Sequence, residues 1–560
     1  MKEKQEFYKK YFNIPNPYKH QIKIWENIEN FKFPVLLRVP TGSGKTEAVL
    51  APFFAQFIKN EFFIAPRLIY VLPMRVLVNS IAERIEKYAK KVSPYISIKI
   101  QHGDLPGSPF FIGDIIVTTL DQFVYGFARA SKEVGHHIDM PAGAIASSMV
   151  VFDEAHMYRD GFTFSIMRAV MEILYHTNIP FVVMTATMPE SLENSLFENI
   201  KDYRKIIGKN VVNSKIKIKI SKKPIYCDGK VNISKDLLKK IKNKKTLIVL
   251  NQVKRAQEVY NEIKRRLKLS SEEIVLLHSR FTRIDRAEHE RKALSLIPHK
   301  ENGKIKIPKG IGIVVSTQVL EAGIDFSAKL LLTELAPADA LVQRAGRCAR
   351  YKGEAGEMII FPVEDDGYKP YEKRHLEKTL EWLKKHTKFN IKNFKEVSQF
   401  VNETLDYSAK DYEAVDTLID LYECVLYADT NPENIQIRKD KSAKVIVVEP
   451  KIGERRRESK EEQLKNGVRD ILKNHKLNDF SFDVDIKTLW KWFKDGILKY
   501  ELRWNENEKG KYEPDVVNLK EREGEITEED RRISPFKTYI IESSYYTTDL
   551  GVTKDESQFI

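Results

Sequence analysis

Apolar residues along this chain come in short blocks. In residues 1–210 they gather at 35–37, 68–72, 115–117, 149–152 and 181–184, with longer stretches of helical periodicity between them. A block that is apolar at every position has no solvent face. It reads as a strand buried on both sides, so the series predicts a parallel sheet covered by helices. The pattern restarts after a lysine-rich stretch at 201–223, with new blocks at 246–250, 274–277, 311–316, 330–332 and 358–361. Two α/β units of similar size are therefore expected in tandem. Between them, Lys215-Ile216-Lys217-Ile218-Lys219-Ile220 alternates strictly. Period two predicts a half-buried strand at the junction, with its lysines outward.

Beyond residue 363 the spacing becomes helical. Leu376, Leu380 and Leu383 share one helix face, as do Leu418, Leu421, Tyr422 and Val425, and later Ile486, Leu489, Trp490 and Phe493. Tryptophans on such a stripe are read as core rather than as base-stacking platforms. The loop Gly453-Glu454-Arg455-Arg456-Arg457 concentrates positive charge; phosphate contact and a plain surface loop both remain open for it. No catalytic motif is seen in this last third. The expected division is two α/β units at 1–210 and 211–363, linking helices at 364–430, and a smaller C-terminal domain at 431–560.

Composition adds a partner class. With 42% hydrophobic and 31% charged residues the 560-residue chain reads as globular and soluble. Its formal net charge of +14 fits a polyanionic partner such as nucleic acid, or equally the charge-rich surface of a heat-adapted protein. Cys227, Cys348 and Cys424 are far apart and form neither a metal spacing nor a disulfide framework, which fits a reducing cytoplasm. No signal-like segment or membrane-length apolar run is read in the sequence.

Two motifs bring chemistry. Pro40-Thr41-Gly42-Ser43-Gly44-Lys45-Thr46 follows the apolar block at 35–37, in the strand–loop–helix setting of a phosphate loop. Its glycines let backbone N–H groups turn toward anionic oxygens, and the helix N-terminus adds partial positive charge. Lys45 can reach the β/γ-phosphates, and the Thr46 hydroxyl can ligate Mg²⁺. Asp153-Glu154-Ala155-His156 follows the block at 149–152. Asp153 is expected to hold the metal and Glu154 to orient or deprotonate the attacking water. Together they predict hydrolysis of a nucleoside triphosphate. One departure is Val39, at a position where the usual pattern has a compact Gly or Ala.

A second unit is expected to supply positive charge to the γ-phosphate, from Gln343-Arg344-Ala345-Gly346-Arg347-Cys348-Ala349-Arg350. Gln343, Arg347 and Arg350 can share one face of a helix or helical turn, with both arginines acting as fingers. Upstream, Gly323 permits a tight turn, and Asp325 can face a ribose or one of those arginines. Thr185 and Thr187, ending a strand of the first unit, suit a hydrogen-bonded relay with His156 that couples nucleotide state to geometry.

The ordered set resembles a superfamily 2 helicase of the DExH type. It includes Gln21 with nearby aromatics, the phosphate loop, Leu72-Pro73-Met74-Arg75, Val117-Thr118-Thr119, the Asp-Glu-Ala-His motif, Thr185-Ala186-Thr187 and the two motifs of the second unit. Leu277-His278-Ser279-Arg280-Phe281 with Asp285-Arg286, the stretch Thr317 to Asp325, Ala336-Pro337-Ala338-Asp339 and Thr119-Leu120-Asp121-Gln122-Phe123 narrow this. They look like the CRISPR-associated helicase of type I systems. The resemblance implies two RecA-like domains and an ATP- and Mg²⁺-dependent 3′-to-5′ translocase on single-stranded DNA. Such proteins are recruited by an RNA-guided surveillance complex, and should grip backbone rather than bases. By motif position, Gln21 would join Thr41 to Thr46, Gly323 and Asp325 at the nucleotide. Pro73, Arg75, Thr118, Thr119, Asn251, Val253 and Thr317 would line the strand path.

Single-chain members of this family carry a histidine–aspartate metal nuclease before the helicase. Here the phosphate loop begins at Pro40, and none of the 12 histidines is followed by aspartate. The chain thus resembles the split form, whose nuclease is a separate polypeptide. Ala328 departs from the acid often found after the Gly-x-Asp turn. Rival readings are a general DNA or RNA repair helicase, and a nucleic-acid-binding scaffold whose ATP site is only a switch.

Overall fold

The computed structural model describes residues 1–103, 105–158, 160–209, 214–301, 304–321, 325–428, 435–439, 441–453, 458–506, 511–519, 533–535 and 537–553. Gly323 and residues 454–457 of the basic loop lie outside them. Packing gathers the chain into two units. One joins Met1–Asn213 with Glu381–Lys439, the other joins Ser214–Leu380 with Asp440–Ile560. The helices expected to link domains are therefore divided, and most belong to the first unit.

The first unit is built on an eight-stranded sheet. Its order is Leu105–Pro106, Ile98–His102, Ile115–Thr119, Arg67–Leu72, Ser148–Phe152, Phe181–Thr185, Val35–Arg38, Arg204–Ile207. All pairings are parallel except that of Leu105–Pro106. Every residue of the strands Val35–Arg38, Ile115–Thr119, Ser148–Phe152 and Phe181–Thr185 is buried. That is why these strands are apolar throughout. The phosphate loop and the acidic motif follow two of these strands at their carboxyl ends, where parallel sheets present their ligand-binding loops. Residues 381–439 add to this unit through polar anchors. Tyr422 donates to Glu172 at 2.8 Å, and the Asp411 N–H donates to Ser165 at 2.9 Å.

The second unit holds six parallel strands in the order Ile274–Leu277, Ile313–Ser316, Thr246–Val249, Leu330–Glu334, Ala355–Phe361, Lys215–Ile220. The alternating Lys215–Ile220 is the edge strand. Ile216 is buried, and Lys219 reaches Glu357 on the neighbouring strand at 2.9 Å.

A five-stranded sheet that the sequence reading lacked completes this unit. Its order is Ser481–Asp485, Ser442–Val448, Thr538–Glu542, Tyr500–Glu506, Tyr512–Asn518. Its strand Ser442–Val448 feeds two cores at once. Val445 and Val447 pack with Leu489 and Trp492 on one face; Ile446 and Val448 pack with Leu464 and Val468 on the other. Trp492 is fully buried, in keeping with a core role.

Candidate nucleotide site and nucleic-acid face

Gly42 and Gly44 have φ of 81° and 74°, a left-handed backbone that only glycine adopts without strain. At Gly44 a side chain would also strike the Gln21 amide, whose nitrogen lies 2.5 Å from an ideal Cβ. Gln21 is fully buried beneath the loop. Its Oε1 accepts from the Tyr18 N–H at 2.9 Å and its Nε2 donates to the Gly44 carbonyl at 3.1 Å. The structure therefore assigns Gln21 to shaping the loop, and its amide does not stand open to a nucleotide. The Ser43 hydroxyl donates to the Pro40 carbonyl at 2.7 Å, and the His20 ring is 2.9 Å from the Ser43 carbonyl.

Val39 is accommodated by a glycine distant in sequence. A Cβ on Gly208 would lie 2.4 Å from Val39 Cγ1, so the bulk gained at 39 is space given up at 208.

Lys45 and the two carboxylates form one buried group. Lys45 Nζ lies 2.8 Å from Glu154 Oε1. Asp153 Oδ2 accepts from the Tyr70 hydroxyl at 2.6 Å, and that hydroxyl is 3.5 Å from Thr46 Oγ1. Burial pushes the Asp153 carboxyl up, Lys45 pulls it down and Glu154 raises it again, leaving it at about 6. Burial opposes the Lys45 charge, but Glu154 and Asp153 outweigh it and hold its pKa above the ordinary lysine value. Glu154 has φ of 49°, a left-handed conformation unusual for a non-glycine residue, as residues at working sites can be. A hydroxyl and a carboxylate bracketing one tyrosine oxygen are hard oxygen donors. That set suits Mg²⁺, which takes one or two protein oxygens and completes its shell with phosphate and water.

Of the residues expected to form a relay beside this group, the structure brings two together: the His156 ring lies 2.8 Å from the Thr185 hydroxyl, and 3.7 Å from Glu154 Oε2. The Thr187 hydroxyl is buried with no hydrogen-bond partner among the described residues.

In the second unit the helix Ala338–Ala345 ends before the arginines, with Gly346 at its C-cap. Gln343, Arg347 and Arg350 thus do not share a helix face. Gln343 is on the helix; Arg347 and Arg350 lie in the turn after it. Arg347 donates to the Leu320 and Glu321 carbonyls, both at 3.0 Å. Arg350 pairs with Asp325 at 2.7 Å, which meets the expectation that Asp325 faces an arginine of this motif. Ala328 is buried and bridges to Cys348, so an acid there would be buried in an apolar contact.

Arg344, which the sequence reading passed over, is the hub of this unit. It is almost wholly buried. It donates to Glu321 Oε1 at 2.9 Å, Thr333 at 2.8 Å, the Glu334 carbonyl at 3.1 Å, Asn251 Oδ1 at 3.1 Å and the Tyr371 hydroxyl at 2.9 Å. Arg255 extends the network to Glu334 at 2.7 Å. The signal available in sequence was two acids, Glu321 and Glu334, beside strand ends that are otherwise apolar.

This network changes the reading of the strand-path residues. Asn251 is fully buried, its amide donating to the Leu335 and Gly367 carbonyls at 2.9 and 3.0 Å. Val253 and Thr317 are buried as well, and the Thr317 hydroxyl has no hydrogen-bond partner among the described residues. In the first unit Thr118 and Thr119 are buried, with the Thr118 hydroxyl donating to the Gln101 carbonyl at 2.7 Å. Pro73 is buried and Arg75 is exposed. Of the seven, Arg75 alone presents an exposed side chain.

Comparison with known proteins agrees with this layout. Residues 18–195 match the DEAD/DEAH box helicase family, and residues 242–353 match the family described as CRISPR-associated nuclease/helicase Cas3, C-terminal. The CRISPR-associated helicase Cas3 of Thermoproteus tenax is 31% identical over 381 residues, covering 65% of this chain and 62% of that protein. The chain thus spans about three fifths of that relative's length. The crystal structure of T. fusca Cas3-ATP shares the fold, with a TM-score of 0.65 at 18% identity over 96% of this chain and 69% of that one. A chain of a CRISPR RNA-guided surveillance complex, pre-nicking, does so with a TM-score of 0.58 at 18% identity, over 94% and 67%. The phosphate loop and acidic motif fall inside the first matched span and the arginine-bearing turn inside the second, and over these spans the chain is similar to the Cas3 helicases.

Proposed function

We propose that this chain is an ATP-driven single-stranded DNA translocase, moving 3′ to 5′, that acts in type I CRISPR interference. The observation that carries the reading is the buried group of Lys45, Glu154, Asp153 and Thr46 at the carboxyl ends of a parallel sheet. The N–H groups of Thr41 to Thr46 cradle the phosphates, and Lys45 exchanges Glu154 for the β/γ-oxygens. Glu154, released by that exchange, accepts a proton from the attacking water. Thr46 and Asp153 would hold Mg²⁺, which neutralises developing phosphate charge when bound. Arg347 and Arg350 supply positive charge to the transferring phosphate, and Gln343 orients the water. His156, Thr185 and Thr187 pass the state of the γ-phosphate to the strand-binding loops.

The strand is held by its backbone. Arg75 and the segments that carry Pro73, Thr118, Thr119, Asn251, Val253 and Thr317 make the contacts, with those six side chains buried beneath them. Recruitment by an RNA-guided surveillance complex and supply of the nuclease by a separate histidine–aspartate subunit complete the proposal. The surveillance-complex chain that shares this fold supports the first.

The test compares ATP turnover with no polymer, with single-stranded DNA and with single-stranded RNA, followed by unwinding of duplexes tailed at either end. Stimulation by DNA and unwinding from a 3′ tail are expected. Preference for RNA would favour a general RNA helicase. A single stoichiometric turnover would favour the nucleotide-switched scaffold.

A further inference from the structure

The stretch 435–439 lies along the first unit with its side chains alternating. Ile435 and Ile437 are buried, whereas Arg438 and Lys439 are exposed. The Thr163 hydroxyl, on the helix Gly161–His176, lies 3.2 Å from the Ile437 carbonyl. Arg438 then reaches the helix Leu120–Phe127, which follows Thr119, and the loop at Pro73. Its Nε donates to Asp121 Oδ1 at 2.9 Å and its Nη2 to Asp121 Oδ2 at 2.8 Å. Nη2 also lies 3.5 Å from the Pro73 carbonyl. This is a two-point clamp of a planar guanidinium, which fixes direction as well as charge.

The clamp uses one edge of the guanidinium. Among the described residues no hydrogen bond or ion pair engages Nη1, and the side chain is 54% exposed. Asp160, a nearby carboxylate, is occupied in capping its helix: it accepts from the Thr163 N–H at 2.7 Å and the Thr163 hydroxyl at 2.9 Å. Arg75, beside Pro73 in sequence, is a further exposed cation. The Tyr158 hydroxyl is buried with no hydrogen-bond partner among the described residues, and lies within electrostatic reach of both Asp121 and Arg438. It stands in the same short turn, Ala155–Tyr158, as His156.

We propose that Arg438 is a backbone-phosphate contact for the single strand, aimed by Asp121 through Nε and Nη2 and offering Nη1. Residues that follow the helicase motifs in sequence thereby return to complete the strand-binding face of the first unit. The inference rests on the proposed single-strand activity.

Binding of a labelled oligothymidylate is measured across a range of salt concentrations for the parent chain and for R438A, R438K and D121N, with a thermal midpoint for each. R438A is expected to weaken binding several-fold at low salt. It should also make the log–log salt slope shallower by about 0.7, the value of one lost phosphate contact on a single strand. R438K keeps the charge without the fork and should fall between. D121N removes a negative charge while the guanidinium stays, so affinity should hold or rise. Unchanged affinity and slope in R438A overturn the inference while leaving the translocase reading intact. D121N losing as much affinity as R438A also overturns it, because the pair would then only fasten the stretch. A parent chain that binds no strand at all overturns both readings. If R438A fails to fold, R438K and D121N decide.

Discussion

The two units hold their functional cations in opposite ways. In the first, Lys45 is paired with the residue expected to act on the water, Glu154, so the two side chains neutralise one another. In the second, Arg347 is spent on two backbone carbonyls of its own unit, and Arg350 on Asp325. Both arrangements answer the same physical demand, since a buried cation without a partner is costly. Their consequences differ. A phosphate can replace Glu154 on Lys45 by exchanging one anion for another, with little change of backbone. Arg347 can be released only if the turn holding Leu320 and Glu321 gives way. The first unit holds its cation ready for anion exchange; the second holds its arginines until that turn moves.

Removing the arginines is the strongest way to break this contrast. Arg347→Ala or Arg350→Ala should lower ATP turnover by about 10³-fold or more, the worth of an arginine finger, while nucleotide affinity falls less. Near-parent turnover would mean that these arginines only shape their turn. Glu154→Gln should cost roughly 10²–10⁴-fold in rate, the range of a general base, with Mg²⁺-ATP affinity retained. Equal losses of affinity and rate would make Glu154 a structural partner of Lys45.

Arg344→Met tests the scaffold of the second unit. It leaves Glu321 buried without its cation, so denaturant unfolding should show a loss of about 3–5 kcal/mol. Gly208→Ala tests the first unit's loop. A methyl group 2.4 Å from Val39 Cγ1 should cost about 1–3 kcal/mol by overpacking, and most of it should return in a Val39→Ala background. A double-mutant cycle that adds independently would show that the two positions do not share space.

The smallest effect concerns the edge of the second sheet. Glu357 lies 2.9 Å from Lys219, 3.1 Å from Lys240 and 3.1 Å from Lys244. The Lys219 hydrogen bond leads in pulling its pKa down to about 2. A depressed folded-state pKa stabilises above the unfolded carboxylate value and is lost as pH falls through the folded one. The parent's advantage over Glu357→Gln should therefore be full at neutral pH and shrink between about pH 4.5 and 2. Its size should stay below about 1 kcal/mol, because the lysines are solvent-screened. An advantage that grows with acidity would refute the assignment.

Much of the architecture was legible in one dimension. Strands buried on both faces leave unbroken apolar blocks, so both parallel sheets could be read from 35–37 through 358–361. The places of the phosphate loop and acidic motif were legible for a related reason: such motifs follow buried strands directly. The five-stranded sheet was missed because Ser442–Val448 packs its two faces into different cores, which erases the alternation that marks a strand. The helix limit at Ala345 was missed because spacing alone cannot say where a helix stops.

What the sequence determined by itself is therefore whatever is written locally: strand blocks, loop glycines, and the order of charged motifs after each strand. The tertiary structure decided which distant groups share a space. Val39 and Gly208 trade volume across 169 positions of chain, 208 − 39. Arg344 gathers Glu321, Thr333, Asn251 and Tyr371 into one network, which turns Asn251 from a presumed strand contact into a buried brace. Arg438, far beyond the helicase motifs, reaches Asp121 and Pro73. None of these pairings leaves a periodic trace, because hydrogen bonds and van der Waals contacts act through a few ångströms of space and are indifferent to separation along the chain.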